Sequence, residues 1–270
     1  MPGAEDQVRP AAVAGKFYPD EAKILREMVT HLLRNAATHV ETVPKGIIAP
    51  HAAYAYSGPI AGSAYAALAN PTGIKRVVLF GPSHYTGFPG LALSGTGAFE
   101  TPLGRVAIDR ETEQKLLSMP QVQVIPAAHG HEHCLEVQLP FLQQTLRDFR
   151  IVALLVGDAP DDEVAQVMES IWGGPETLFV ISSDLSHYLD YESASLLDRE
   201  TADAIEQLRP ADILDEQACG HTGVRAFLWA ARHHGLQGKT LDLRNSGDTS
   251  GRRDHVVGYG AFAFTAIPKG

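Results

Sequence analysis

IVALLV (Ile151–Val156) and LFVI (Leu178–Ile181) are two uninterrupted apolar runs, and the segment between them, Asp161–Trp172, reads as a helix. Runs with no polar alternation are strands covered on both faces, and the order strand, helix, strand predicts a parallel pair. The same reading extends outward. Upstream, Ile47–Ala49 and Arg76–Phe80 are further buried strands, and Leu91–Ser94, Val106–Ile108 and Val122–Ile125 are short strands around a helix at Arg110–Ser118. Asp20–Arg34 is predicted as an amphipathic helix capped by Asp20, with Ile24, Met28 and Leu32 as its apolar face. Ser57–Leu68 and His133–Leu146 are predicted helical, the latter kinked at Pro140. Downstream come helices at Tyr191–Leu208, Ala211–Glu216 and Gly223–His234, then strands at Leu241–Arg244 and Tyr259–Thr265. Strand–helix alternation without a Pro/Gly/Ser linker predicts a single α/β domain with a mostly parallel or mixed central sheet flanked by helices.

Composition narrows the function classes. The chain has 270 residues, 44% hydrophobic and 20% charged, as expected of a globular protein with a substantial core. Its net charge of -10 without a Lys/Arg cluster argues against nucleic acid as a partner. Two cysteines, Cys134 and Cys219, in dissimilar settings give no disulfide framework. The N-terminus lacks a signal-peptide pattern, and the longest apolar runs are too short for a bilayer. A soluble, cytoplasmic protein is expected, with no membrane partner.

Chemistry gathers where the apolar strands run out. IIAPH ends at His51 and VVLFGPSH at His84, each passing into a proline-marked loop, where open α/β sheets place their ligands. ACGHTGV sets Cys219 at the opening of a helix, whose N–H groups and dipole are expected to lower the thiol's pKa. Two imidazoles and a thiolate suit iron(II), copper or zinc and do not suit magnesium or calcium. Each residue also has a plain reading: a lone histidine commonly serves the fold, and cysteine packs as a small hydrophobe. Cys134, beside Leu135 on a predicted helix, is read as core. SSDLSHY places Asp184 and His187 past another strand, an arrangement fit for proton transfer with Asp184 setting the histidine tautomer; the alternative is an Asp capping the next turn beside a solvated His. In HGHEHCLE, HExxH is absent, so Glu132 and Glu136, which share a helical face, are read as carboxylates that orient ligands, and His129 and His131 as solvated loop residues. No GxSxG surrounds Ser182, Ser183 or Ser186, and phosphate-binding glycine loops are missing, so a serine hydrolase and a nucleotide-binding protein are not supported. The residues leave open a metal-dependent oxidoreductase, a non-catalytic metal- or peptide-binding module, and a hydrolytic zinc enzyme.

These segments, read together, carry a resemblance. IIAPHAAYAYSG, LFGPSH, TPLG, EHCLEVQLP, VGDA, SSDLSHY and ACGHTGV, in that order, resemble the Memo family, whose bacterial and archaeal members are called AmmeMemoRadiSam system protein B. The likeness runs from about Arg9 to Phe264, implying one Memo-like domain over residues 1–270 with its core at about 9–265. It implies a fold similar to class III extradiol (LigB-type) dioxygenases, in which two histidines and a glutamate hold a non-heme iron(II) and a separate histidine is acid and base. Carried over by position, His51 and His84 match the imidazole ligands and Cys219 takes the carboxylate's place. His187, with Asp184, matches the acid/base position, and His133 lies in the EHxxE segment near the site. A thiolate in place of a glutamate changes a hard donor to a soft one and adds an oxidisable group, so dioxygenase activity does not transfer with the fold. The resemblance implies iron(II) first, copper or zinc next, a small-molecule or peptide ligand at the metal pocket, and association with radical-SAM and AMMECR-type proteins.

Overall fold

The structure is a computed structural model and describes residues 7–36, 40, 42–68 and 73–267. In chain order the elements are β1 (Val8–Arg9), α1 (Ala22–Arg34), β2 (Gly46–Ala49), α2 (Tyr54–Ala66), β3 (Arg76–Pro82), β4 (Leu91–Leu93), β5 (Ala98–Thr101) and β6 (Gly104–Ala107). There follow α3 (Arg110–Leu116), β7 (Val122–Val124), α4 (Pro126–Gly130), α5 (Leu139–Thr145), β8 (Arg150–Val156), α6 (Asp161–Ser170) and β9 (Thr177–Ser182). The last elements are β10 (His187–Leu189), α7 (Tyr191–Glu206), α8 (His221–His233), β11 (Leu236–Asn245), α9 (Ser246–Ser250) and β12 (Val256–Ala266).

The apolar runs form the middle of a mixed sheet in which β2, β9, β3 and β8 lie side by side and parallel. β12 adds antiparallel to β2, with β11 and β10 paired to β12; beyond β8 come β4, antiparallel, and β7. Because successive strand residues face opposite ways, each run feeds two cores. Ile47, Val77, Leu79, Ile151, Ala153 and Val180 point to the face covered by α1, α2 and α5. Ile48, Val78, Phe80, Val152, Phe179 and Ile181 point to the face covered by α6, α7 and α8. Burying each branched or aromatic side chain among them contributes about 1.5–3 kcal/mol. The result is a three-layer α/β domain.

Several elements differ from the sequence reading. β8 and β9 are not neighbours; β3 lies between them and is parallel to both. In α1 the buried residues are Leu25 and Val29, whereas Ile24 is 53% exposed, and the cap is Glu21, which accepts from the Lys23 and Ile24 N–H groups. A four-residue spacing alone does not tell two adjacent stripes apart. The segment expected as one kinked helix is a 3-10 turn at Glu136–Gln138 leading into α5, with Pro140 in the first turn, where its missing N–H costs nothing. Ala211–Glu216 resolves into two 3-10 turns, and β5 and α4 had no counterpart in the reading.

A second sheet of three strands, β1–β5–β6, holds the N-terminal arm. From β1 the buried Arg9 donates to the carbonyls of His129 and Glu132 and pairs with Glu136. Glu136, fully buried, also accepts from Ala12 N–H, Val13 N–H and the Tyr18 hydroxyl. Glu136 thus fixes the arm and does not share a helical face with Glu132. Among the described residues no helix is long and apolar enough to cross a membrane.

Candidate metal centre

The carboxyl ends of β2, β3 and β9 open side by side, and the next residues of each supply the polar groups. His51 follows β2 by two residues, His84 follows β3 by two, and Asp184 follows β9 by two. Cys219 arrives from the far side, two residues before α8, with Gly220 as the N-cap. A side chain at Gly220 would sit 2.8 Å from the Ser182 carbonyl oxygen and 2.9 Å from Ser183 Cβ, so only glycine lets this segment lie against the end of β9. One donor atom from each of His51, His84 and Cys219 lies within 4.8 Å of the others.

Hydrogen bonds decide which ring nitrogens face inward. Ser182 Oγ gives its single hydrogen to the Cys134 carbonyl (2.7 Å) and so receives from Gln138 Nε2 (2.9 Å) and from His51 Nδ1 (2.9 Å). His51 is therefore the Nδ1–H tautomer, with the Nε2 lone pair 3.2 Å from Cys219 Sγ. His84 makes the equivalent arrangement with Glu132: its Nδ1 lies 2.9 Å from Oε1 and its backbone N–H donates to Oε2 at 2.7 Å. A carboxylate only accepts, so Nδ1 carries a hydrogen and Nε2 is the nitrogen turned to the other donors. The second nitrogen of each ring is tied as metal-ligating histidines usually are. Ser182 and Gln138 went unrecognised in the sequence; the only signal was the position of Ser182 at a strand end.

The electrostatics follow from burial. His51, 2% exposed, is held well below the usual histidine pKa by loss of solvent and by neighbouring His84 and His133. Burial would raise the Glu132 carboxyl, but its contacts with His133 and His84 outweigh that and hold it well below the carboxylate range. Burial raises Asp184 to about 6 against the His51 and Ala52 N–H groups it accepts from. The Cys219 thiol is pushed up to about 12 by burial and by Asp184, which outweigh the N–H groups of Asp184 and Gly220. This corrects the expected low thiol pKa: the helix begins too late and the site is too dry. In the metal-free chain Cys219 is a thiol beside an accepting imidazole nitrogen, the place a cation would take from its proton.

The remaining residues divide. His133 stacks on His84 with centroids 4.7 Å apart, and its Nδ1 is 3.1 Å from Glu132 Oε1, outside hydrogen-bond geometry. His187 is partly buried, its pKa lowered by burial; its ring bonds to the Leu185 backbone, and His84 is close enough to act on it. Asp184 does not set the His187 tautomer: its Oδ1 accepts the His51 N–H at 2.7 Å and its own N–H points to Cys219 Sγ at 3.3 Å. His129 is buried, not solvated, with Nε2 2.9 Å from the Ala92 carbonyl. Cys134 is buried, as expected of core. A cavity of about 250 Å³ adjoins Cys219, walled by Phe80, Phe88, Val156, Ile181 and Thr222. The donor set fits a soft or borderline transition ion: two imidazoles whose Nδ1 atoms are tied away from the centre and one thiol whose proton an ion can displace.

Comparison with known proteins gives concordant matches. The family described as Memo-like protein matches residues 9–263. A MEMO1 family protein of Methanococcoides burtonii is 36% identical over 269 residues, covering 94% of this chain and 98% of that protein. Its counterpart in Aquifex aeolicus is 37% identical over 266 residues, covering 94% and 97%, and that of Nitrosopumilus maritimus 30% over 276 residues, covering 95% and 99%.

Proposed function

The chain belongs to the Memo family, and from that premise we propose that it is a metal-binding protein that holds iron(II), or copper in the same pocket, on His51, His84 and Cys219 and acts as a non-heme-iron-type oxidoreductase. The observation that carries this reading is the convergence of three donor atoms within 4.8 Å from three separate loops. Bound iron or copper would supply one-electron and dioxygen chemistry. The chain's own part is to orient and to move protons. Ser182 and Glu132 hold the two imidazoles by Nδ1, and Cys219 yields its proton on loading. His187, partly buried and close to His84, is the proton-transfer group; His133 and Asp184 border the ligands and position what binds beside them.

Elemental analysis of protein purified without oxygen tests the metal. Wild type is expected to retain about one iron or copper per chain, and Cys219→Ser to lose it; equal content in both would refute the site, and zinc in its place would point to hydrolysis instead. Oxygen uptake with catechol-like and thiol substrates tests the redox half, which fails if turnover does not exceed that of free metal.

A non-catalytic module is favoured by one observation: Tyr85 (61% exposed) and Tyr188 (73% exposed) are open aromatic side chains next to His84 and His187, of a kind that suits a peptide. On that reading the partners are radical-SAM and AMMECR-type proteins, and co-purification with them survives His187→Ala but not substitution of the rim tyrosines.

A further inference from the structure

A second set of donors meets on the opposite side of α8 from its N-terminus, sharing no residue with the first. Glu169 stands in the last turn of α6, and His233 and His234 end α8. One carboxylate oxygen and one ring nitrogen from each histidine lie within 4.8 Å of one another. We propose that Glu169, His233 and His234 form a binding site for a divalent transition ion of the zinc type.

Consecutive residues on a helix project about 100° apart, so adjacent histidines do not ordinarily converge. Here α8 stops at His233, His234 is the C-cap, and Gly235 turns the chain away at φ +64°. The two rings meet edge-on with centroids 5.2 Å apart. Each is held from behind by a tryptophan: His234 lies flat on Trp172 (4.2 Å, 8°) and His233 is parallel to Trp229 (5.6 Å, 2°). A ring stacked on each exposed histidine favours one orientation of its donor atoms.

The carboxylate supplies the independent signal. Glu169 Oε2 is 2.9 Å from His234 Nε2, while Oε1 is buried with no hydrogen-bond partner. A buried carboxylate oxygen left unpaired is costly and calls for an explanation; a cation against the free oxygen and the two rings provides one. Two imidazoles and a carboxylate suit zinc and bind copper(II) more tightly still. The competing account is a helix-terminal histidine ion-paired to Glu169, which requires no metal.

Zinc chloride is the probe, in equilibrium dialysis of the full, metal-stripped chain. We expect one zinc per chain to persist in Cys219→Ser, where the first site is disabled, and that zinc to be weakened at least tenfold when His233→Ala or Glu169→Gln is added. Both tryptophans of the chain stand behind these rings, so copper(II) is expected to quench the intrinsic fluorescence of wild type and Cys219→Ser, with excess zinc relieving it. His233 is exposed, and circular dichroism confirms that its variant is folded; His234→Gln serves as a second variant. Zinc binding unchanged when His233→Ala and His234→Gln are added to Cys219→Ser overturns the site. So does loss of all bound zinc in Cys219→Ser, or binding indifferent to Glu169→Gln.

Discussion

Single residues in this protein owe their chemistry to what holds their far side. Glu132 binds both the ring and the backbone of His84, so its oxygens fix where Nε2 points. Glu132→Gln can present its amide N–H to Nδ1 and favour the wrong tautomer. A 10- to 100-fold loss of metal affinity is expected from such a change, read by competition against a chelator of known strength; unchanged affinity would show that Glu132 does not orient His84. His129 illustrates the reverse of a solvated histidine. Burial lowers its pKa to about 4, whereas the unfolded chain takes up that proton near 6.5. The folded state therefore binds fewer protons between pH 6.5 and 4, and stability falls as pH drops through that window. A shift of this size amounts to up to about 3 kcal/mol. His129→Gln, which keeps a donor for the Ala92 carbonyl, is expected to lack that loss when urea midpoints are compared at pH 7 and pH 4.5. Parallel pH profiles for the two proteins would contradict it.

Among elements, the strand ends matter more than the strands. Gly220→Ala puts a methyl against the Ser182 carbonyl oxygen, and neither backbone can yield without moving Cys219. A cost of about 1–3 kcal/mol is expected in urea unfolding, together with reduced metal retention; an unchanged midpoint would mean the contact relaxes freely. The strands and flanking helices were legible because apolar runs such as Val77–Phe80 have few other uses; His51 and His84 stood out because they sit where such runs stop, and Cys219 because it precedes a helix between small residues. The rest was not legible for physical reasons. That β3 lies between β8 and β9 is a matter of pairing order, which apolarity does not encode. The separate tasks of Glu132 and Glu136 depend on Arg9, more than 120 residues away. The thiol's high pKa depends on how deeply the fold buries Cys219 and on the Asp184 carboxylate beside it.

For the molecule as a whole, the N-terminal arm and the site are one construction. Arg9 holds the Glu132 carbonyl and the Glu136 carboxylate together. Arg9→Met leaves a fully buried carboxylate without its cation, a change expected to cost about 3–5 kcal/mol and to lower the urea midpoint accordingly; a midpoint within error of wild type would show that Tyr18 and the arm amides suffice. The interleaved strand order reaches further, into how the chain is made. β2 and β3 both leave the ribosome before β9, yet β9 must slot between them. His51 and His84 are thus synthesised early and have no fixed separation until residue 182 has emerged, and the thiol follows later still. At ribosomal speeds that interval is on the order of ten seconds, during which the nascent polypeptide offers scattered imidazoles but no completed pocket. On the proposed reading, loading would wait until the Cys219 segment has emerged, and an ion captured earlier would be held by the wrong atoms.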